Sequence, residues 1–350
     1  MNRIIKNGYG TKISKEFSDR LCSFYSNEPT DITNLSDVWF PIFEQKQKTF
    51  HEILLSGNYS HVSEWMYRLY ETEVVYGLDA TNSLIDFGQY NPLTLKHDND
   101  TLQKINSVPW LIFLASCAVG IANFPLKDSE IPNIENNMDS YVADLSAALG
   151  IQIGITQTMG MWYSESGGKK IIPRTAYFLP VYSSIRRLLP NGGNVLELGS
   201  GTGKLAHLIA QDKKMRYHSC DLPLASVVLA AFVEQQFGES KVWLQGETEN
   251  PDAIVSVHGS SIPDSVKFDL VVNQDSIPEM PRDVAKQYIR SIESQLNTGG
   301  YFLSINQETT STGQNPVLPM VNEVCSKMRL LYRCPCWNRP GYVEQCWVKI

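Results

Sequence analysis

Glu197, Gly199, Gly201 and Gly203 recur at every second position of the run VLELGSGTGKLA, residues 195 to 206. An acid and alternating glycines directly behind an apolar stretch suit a turn that holds a small molecule. Without a Cβ, glycine lets the main chain come close to what it binds. Spacing separates the turns that compete for such a run. A phosphate cradle needs a glycine, four residues, then Gly-Lys-Ser/Thr. Gly203 and Lys204 supply the middle, but Leu198 stands where the first glycine belongs and Leu205 where the Mg²⁺-binding hydroxyl belongs. A dinucleotide turn needs G-x-G-x-x-G. Counted from Gly199, its third glycine belongs at Lys204, yet the glycine stands at Gly203. The bland reading is a helix-start loop of some other α/β domain, since glycine marks many such turns.

The pattern E-x-G-x-G-x-G resembles motif I of the class I S-adenosylmethionine (SAM) methyltransferases. SAM has no pyrophosphate, so it needs no anion-binding helix start. It presents an amino group, a carboxylate and a ribose. The resemblance implies that Glu197 faces the ammonium, directly or through water, and that Gly199, Ser200, Gly201 and Gly203 cradle the molecule with their backbone. Asp221, followed by Leu222, ends the next expected strand, where a carboxylate can accept both ribose hydroxyls. Ser260 or Ser261 is expected at the adenine amino group, with Asn273 and Gln274 at the end of strand four. Arg174 or Tyr177, just ahead of the sheet, is placed to reach the methionine carboxylate.

Methyl acceptors are handled after strand four, which here reads VVNQDSIPEMP. Methyltransferases acting on planar amines carry Asn-Pro-Pro-Tyr/Phe at this point. This chain has Asn273-Gln274-Asp275-Ser276, without the prolines or the ring, and offers Asp275 and Glu279 instead. An alcohol attacks a methyl group poorly unless its proton leaves as the bond forms, and a carboxylate in reach can take it. Asp275 is the first candidate base, with His258 and Glu279 next; helix capping and a structural histidine are the competing roles. Asp275 and Glu308 could share a cation, but no adjacent Asp-Asp pair supports one, so no metal is expected.

These residues need a sheet to align them. From about residue 170 strands and helices alternate, the pattern of a parallel sheet. NVLELG, RYHSC, FDLVVN and YFLSIN are expected strands, KVWLQGE and AIVSVHGSS compete for strand three, and a terminal hairpin lies near YRCPCW and YVEQCWVKI. The helix PVLPMVNEVCSKMRLL is expected between them, and RTAYFLPVYSSIRRLL precedes the sheet as a helix that Pro180 kinks or restarts. The expected fold is α/β, a seven-stranded, mostly parallel Rossmann-like class I methyltransferase sheet with a helical N-terminal extension. Residues 1–150 read as helices covering the acceptor site, and 151–350 as the SAM-binding domain. YNPLTLKHDNDT reads as a loop, and TMGMWYSESGG as a lid or an interdomain loop.

The blocks DLP, KVWLQGE, FDLVVNQDSIPEMP and GGYFLSINQE together resemble the bacterial sugar O-methyltransferases, over residues 170 to 350. That resemblance implies O-methylation of a sugar or glycoside hydroxyl. The alternatives are O-methylation of a non-sugar secondary metabolite and a SAM-binding subunit without catalysis. A formal net charge of -7 argues against a grip on nucleic acid. VPWLIFLASCAVGIANFPL is too short in its apolar part to span a membrane and is expected as a buried helix. The scattered cysteines and the absence of an apolar leader lead to a cytoplasmic expectation. The oligomeric state stays open, a homodimer included.

Overall fold

In the computed structural model, the residues described are 5–6, 9–28, 36, 39–76, 78, 108–123, 133–308, 315–336, 339 and 341–350. The expected loop at 90–101 lies outside them.

Among the described residues the main sheet has eight strands, in the order β10-β11-β9-β8-β4-β5-β7-β6. They are β4 (Gly193–Leu198), β5 (Met215–Cys220), β6 (Val242–Leu244), β7 (Val255–Val257), β8 (Phe268–Gln274), β9 (Leu296–Gln307), β10 (Met328–Pro335) and β11 (Tyr342–Lys349). The central pairs are parallel, while β11 runs antiparallel to both β9 and β10. This is the expected Rossmann-like α/β sheet with one strand more than the seven predicted. Both competitors for strand three are strands: β7 pairs with β5, and β6 adds a parallel edge beyond it. The central strands β4 and β8 are buried over most of their length because both of their faces are covered, as parallel sheets require.

Register brings the site together. Leu198 pairs with both Cys220 and Asn273, so Gly199, Asp221 and Gln274 emerge side by side at the carboxyl ends of three strands. In open α/β sheets that crevice is where ligands bind.

The helix Thr175–Leu188 runs through Pro180 as one element. The helix after β9 is shorter than expected, Val317–Val324, because its SKMRLL tail turns into β10 instead. TMGMWYSESGG, expected as a lid or an interdomain loop, is mostly strand and turn. It forms β2 (Trp162–Ser166) and turns at Gly167 and Gly168, both at positive φ, into β3 (Lys169–Ile171). Two glycines with positive φ make the two-residue turn that suits a hairpin's twist. β2 also pairs with β1 (Ile5–Lys6), so this small sheet ties the chain's start to residues beyond 150.

The front helices include Lys15–Asn27, Lys48–Ser56, Tyr59–Tyr67, Val108–Val119 and Met138–Leu149. Val108–Val119 is buried as expected, and among the described residues no helix is long and apolar enough to cross a membrane. Front and sheet share one hydrophobic cluster: Phe17, Leu21, Tyr25, Phe50 and Leu145 belong to the same core as Leu179, Val228 and Phe232. The helix Pro223–Phe237 shows why. It is buried on nearly every side, so it needs cover beyond the sheet.

Candidate functional site

The glycine loop between β4 and the helix Lys204–Ile209 holds Gly199, Gly201 and Gly203 at φ of 77°, 51° and 78°, conformations that favour glycine. Their missing Cβ atoms have different reasons. A Cβ on Gly199 would overlap the side chain of Ser276, and one on Gly203 would press on Leu229 at 3.0 Å. Gly201 alone is not crowded: an added Cβ would meet only Leu78 O, at an ordinary contact distance of 3.5 Å. Two of the three glycines therefore serve packing, and one leaves room for a ligand. Gly199→Ala is expected to destabilise the fold by at least ~2 kcal/mol, through overlap and backbone strain. Thermal unfolding reads this directly; a melting temperature equal to wild type would show that the loop moves freely away from Ser276.

Glu197 is fully buried, and Tyr217 donates its hydroxyl to Oε2. Burial pushes the Glu197 carboxyl up to about 8; the Tyr217 hydrogen bond opposes this and the Asp221 charge adds to it. Asp221 accepts from Gly201 N–H at 2.6 Å and Leu222 N–H at 2.7 Å. It thus pins the glycine loop to the end of β5. Burial raises its carboxyl to about 6 against those two hydrogen bonds.

A cleft of about 1160 Å³, open mouth included, runs over these residues. Of the residues singled out in the sequence, Arg174, Glu197, Gly199, Ser200, Gly201, Asp221, Leu222, Gln274, Asp275 and Glu279 line it. Gly203, Asn273, Tyr177, His258, Ser260 and Ser261 do not. Asn273 is fully buried and structural: its amide donates to Leu198 O at 2.8 Å, and its Oδ1 accepts from Asn306 at 2.8 Å. Tyr177 stacks under Arg339 instead, 5.6 Å from guanidinium to ring centre.

His258 turns inward. Its Nε2 lies 2.9 Å from His218 Nδ1, the two rings stack, and burial lowers the His258 imidazole to about 3. A ring that is buried, paired and neutral does not reach a substrate in the cleft. The expectation that it serves as base is therefore corrected by its partner on β5.

Asp275 and Glu279 share the other wall. Asp275 has φ 66°, and both its oxygens accept from Arg339 Nη2 at 2.9 Å. Arg339 in turn lies 3.7 Å from the Tyr342 ring centre. Glu279 is half-buried, and Trp39 donates its indole N–H to Oε2 at 3.2 Å. Burial raises the Glu279 carboxyl to about 7, and the neighbouring Asp275 charge pushes the same way. Trp39 and Ser36, from the front part, line the cleft beside it. Sequence reasoning missed Trp39, Arg339 and Ser276, since contacts across 240, 64 and 78 positions carry no local signal. Among the described residues no cluster of three His, Cys, Asp or Glu could hold a metal.

No family model and no curated protein matches the chain. Among solved structures it is similar to the N-methyltransferase NodS of Bradyrhizobium japonicum WM9 with S-adenosyl-L-homocysteine (SAH), at 14% identity over 50% of this chain and 85% of that one, TM-score 0.37. It is also similar to the glycopeptide N-methyltransferase MtfA, at 15% identity over 48% of this chain and 94% of that one, TM-score 0.36. A SAM-dependent methyltransferase of Clostridium acetobutylicum ATCC 824 gives 13% identity over 47% of this chain and 89% of that one, TM-score 0.35. Scores this low carry no functional inference.

Proposed function

We propose that the chain is a SAM-dependent methyltransferase that moves a methyl group to a hydroxyl oxygen of a sugar or glycoside. One observation carries this: the cleft sets Glu197, Gly201 and Asp221 on one wall, and on the other a carboxyl tuned to about 7, Glu279.

The first wall fits SAM. A fully buried carboxyl held at about 8 is relieved by a cation, and the ammonium of SAM supplies one. Gly201 leaves backbone space, Asp221 offers an acceptor for ribose hydroxyls, and Arg174 offers a donor for the carboxylate. SAM supplies an activated methyl on sulfur. The chain's residues orient it and manage the acceptor's proton.

That proton is assigned to Glu279. A base works best with a pKa near the working pH, and burial beside Asp275 puts Glu279 there. Asp275, the first candidate by sequence, has both oxygens held by Arg339, so its role passes to charge and shape. Trp39 serves twice: its N–H fixes Glu279, and its ring is a face for a pyranose. The front part, residues 1–150, then covers the acceptor. The transferred methyl gains a bond to oxygen and loses its bond to sulfur; the hydroxyl proton goes to Glu279.

SAH should bind and NAD should not. Affinity should depend on pH. Glu197 is largely protonated at pH 7 and must ionise to pair with an ammonium, so binding releases a proton. Affinity for SAH therefore rises as pH rises from about 6, the Asp221 value, toward about 8, the Glu197 value. Both groups push the same way, because each carboxylate form is the one that binds. Calorimetry in two buffers of different ionisation heat measures the proton release. A constant affinity across that window, with no proton release, would detach Glu197 from the ammonium.

A further inference from the structure

Successive strand ends in this sheet form a line. Glu197 is the last residue but one of β4, Asp221 follows β5, and Gly259 stands two residues past β7. Val257 pairs with Ser219, which sets Gly259 level with Asp221, and Asp221 N–H donates to Gly259 O at 2.8 Å. On the proposed function, on which this inference rests, amino acid, ribose and base lie along that line in order. The loop after β7 is then where the base is read.

That loop is poor in side chains able to read it. His258 is turned in to His218. Ser261 is exposed, and the Ser260 carbonyl is taken by the Tyr288 hydroxyl. What stands against the loop comes from elsewhere in the chain. The Glu28 carboxylate, at the end of the front helix Lys15–Asn27, sits directly on Gly259. A Cβ at Gly259 would overlap it, and Gly259 holds a positive φ of 58°. Ser260 N–H donates to Glu28 Oε2 at a long 3.4 Å. Glu28 and Ser260 stand just behind the cleft lining, next to Cys220 and Tyr288, which line it and feel the Glu28 charge.

We propose that Glu28, 232 positions before the loop it touches, reads the exocyclic amino group of the cofactor's adenine together with Ser260 N–H. An N–H beside a carboxylate presents a donor next to an acceptor. The edge of adenine presents the complement, a ring-nitrogen acceptor beside an amino donor. The base takes the weak Ser260 contact and gives Glu28 a hydrogen of its own. The front helical part thereby contributes to cofactor choice as well as to the acceptor side.

The test uses the full chain and two ligands at pH 8: SAH, and its inosyl analogue, in which a carbonyl oxygen replaces the amino group. Calorimetry is run on wild type, Glu28→Gln and Gly259→Ala, with circular dichroism to verify folding. Wild type should prefer SAH by about tenfold or more, because the analogue sets an oxygen against a carboxylate. Glu28→Gln, close to isosteric, should reverse or level that preference, since its amide can donate to the carbonyl. Gly259→Ala should level it by displacing the carboxylate. Should Gly259→Ala not fold, the Glu28→Gln comparison decides alone. An undiminished preference for SAH in Glu28→Gln would overturn the assignment of Glu28 and leave the proposed function standing. A wild type that binds neither ligand would overturn both.

Discussion

Replacing Glu279 with glutamine is expected to lower kcat by about 10²–10⁴-fold, the usual worth of a positioned proton acceptor, while SAH affinity stays near wild type. Glutamine keeps the shape and the acceptor for Trp39 N–H, at 3.2 Å in wild type, but takes no proton. Asp275→Asn separates the two acids. Its charge helps to hold the Glu279 carboxyl at about 7, so removing it lowers that value. The variant should stay active, with the acidic limb of its rate profile moved to lower pH. The sign follows from the base being needed unprotonated: a lower pKa keeps it competent at lower pH. If Asp275→Asn is inactive at every pH while Glu279→Gln turns over normally, the two roles are exchanged.

A chain beginning at Lys169 is expected not to fold. Read from sequence, the sheet half supplies every named SAM contact and looks separable. The shared core argues otherwise. Phe17, Leu21, Tyr25, Phe50 and Met66 are each 0% exposed, in one cluster with Val227, Leu229 and Phe232 of the sheet half. Each large side chain buried contributes about 1.5–3 kcal/mol, and a fold's whole margin is ~5–15 kcal/mol. The cut also removes β2 and the Arg20–Glu247 ion pair at 2.6 Å. The measurement is thermal unfolding of the purified fragment by near-ultraviolet circular dichroism. A cooperative transition, with SAH binding, would show that the front part is a separate domain.

What the sequence made legible was local. Glycines at alternate positions after an apolar strand mark one loop, and the strand and helix alternation after residue 170 marks one sheet. Both signals lie within a few residues. Asn273 reads as a cofactor residue because the expected strand FDLVVN ends on it, but its amide is consumed by Leu198 O and Ser276 Oγ. Which face a strand's last residue takes depends on the neighbouring strand, and that pairing is not written locally. The same holds for His258, whose partner His218 lies 40 positions away. The hairpin at 162–171 was legible and misread: Gly167-Gly168 between two strand-forming runs is a turn signal in its own right. The core shared across residue 150 is not legible locally, because front helices and sheet helices both read as amphipathic or apolar, whichever partner covers them.

The most direct measurement is the mass of the product. The full chain is incubated with SAM labelled in its methyl group and a panel of free sugars, nucleotide-linked sugars and glycosides, then analysed by mass spectrometry. The account predicts one labelled methyl on oxygen of one acceptor class, SAH formed in equal amount, and both signals lost in Glu279→Gln. SAH formed with the label on nitrogen, or label on oxygen undiminished in Glu279→Gln, would contradict it.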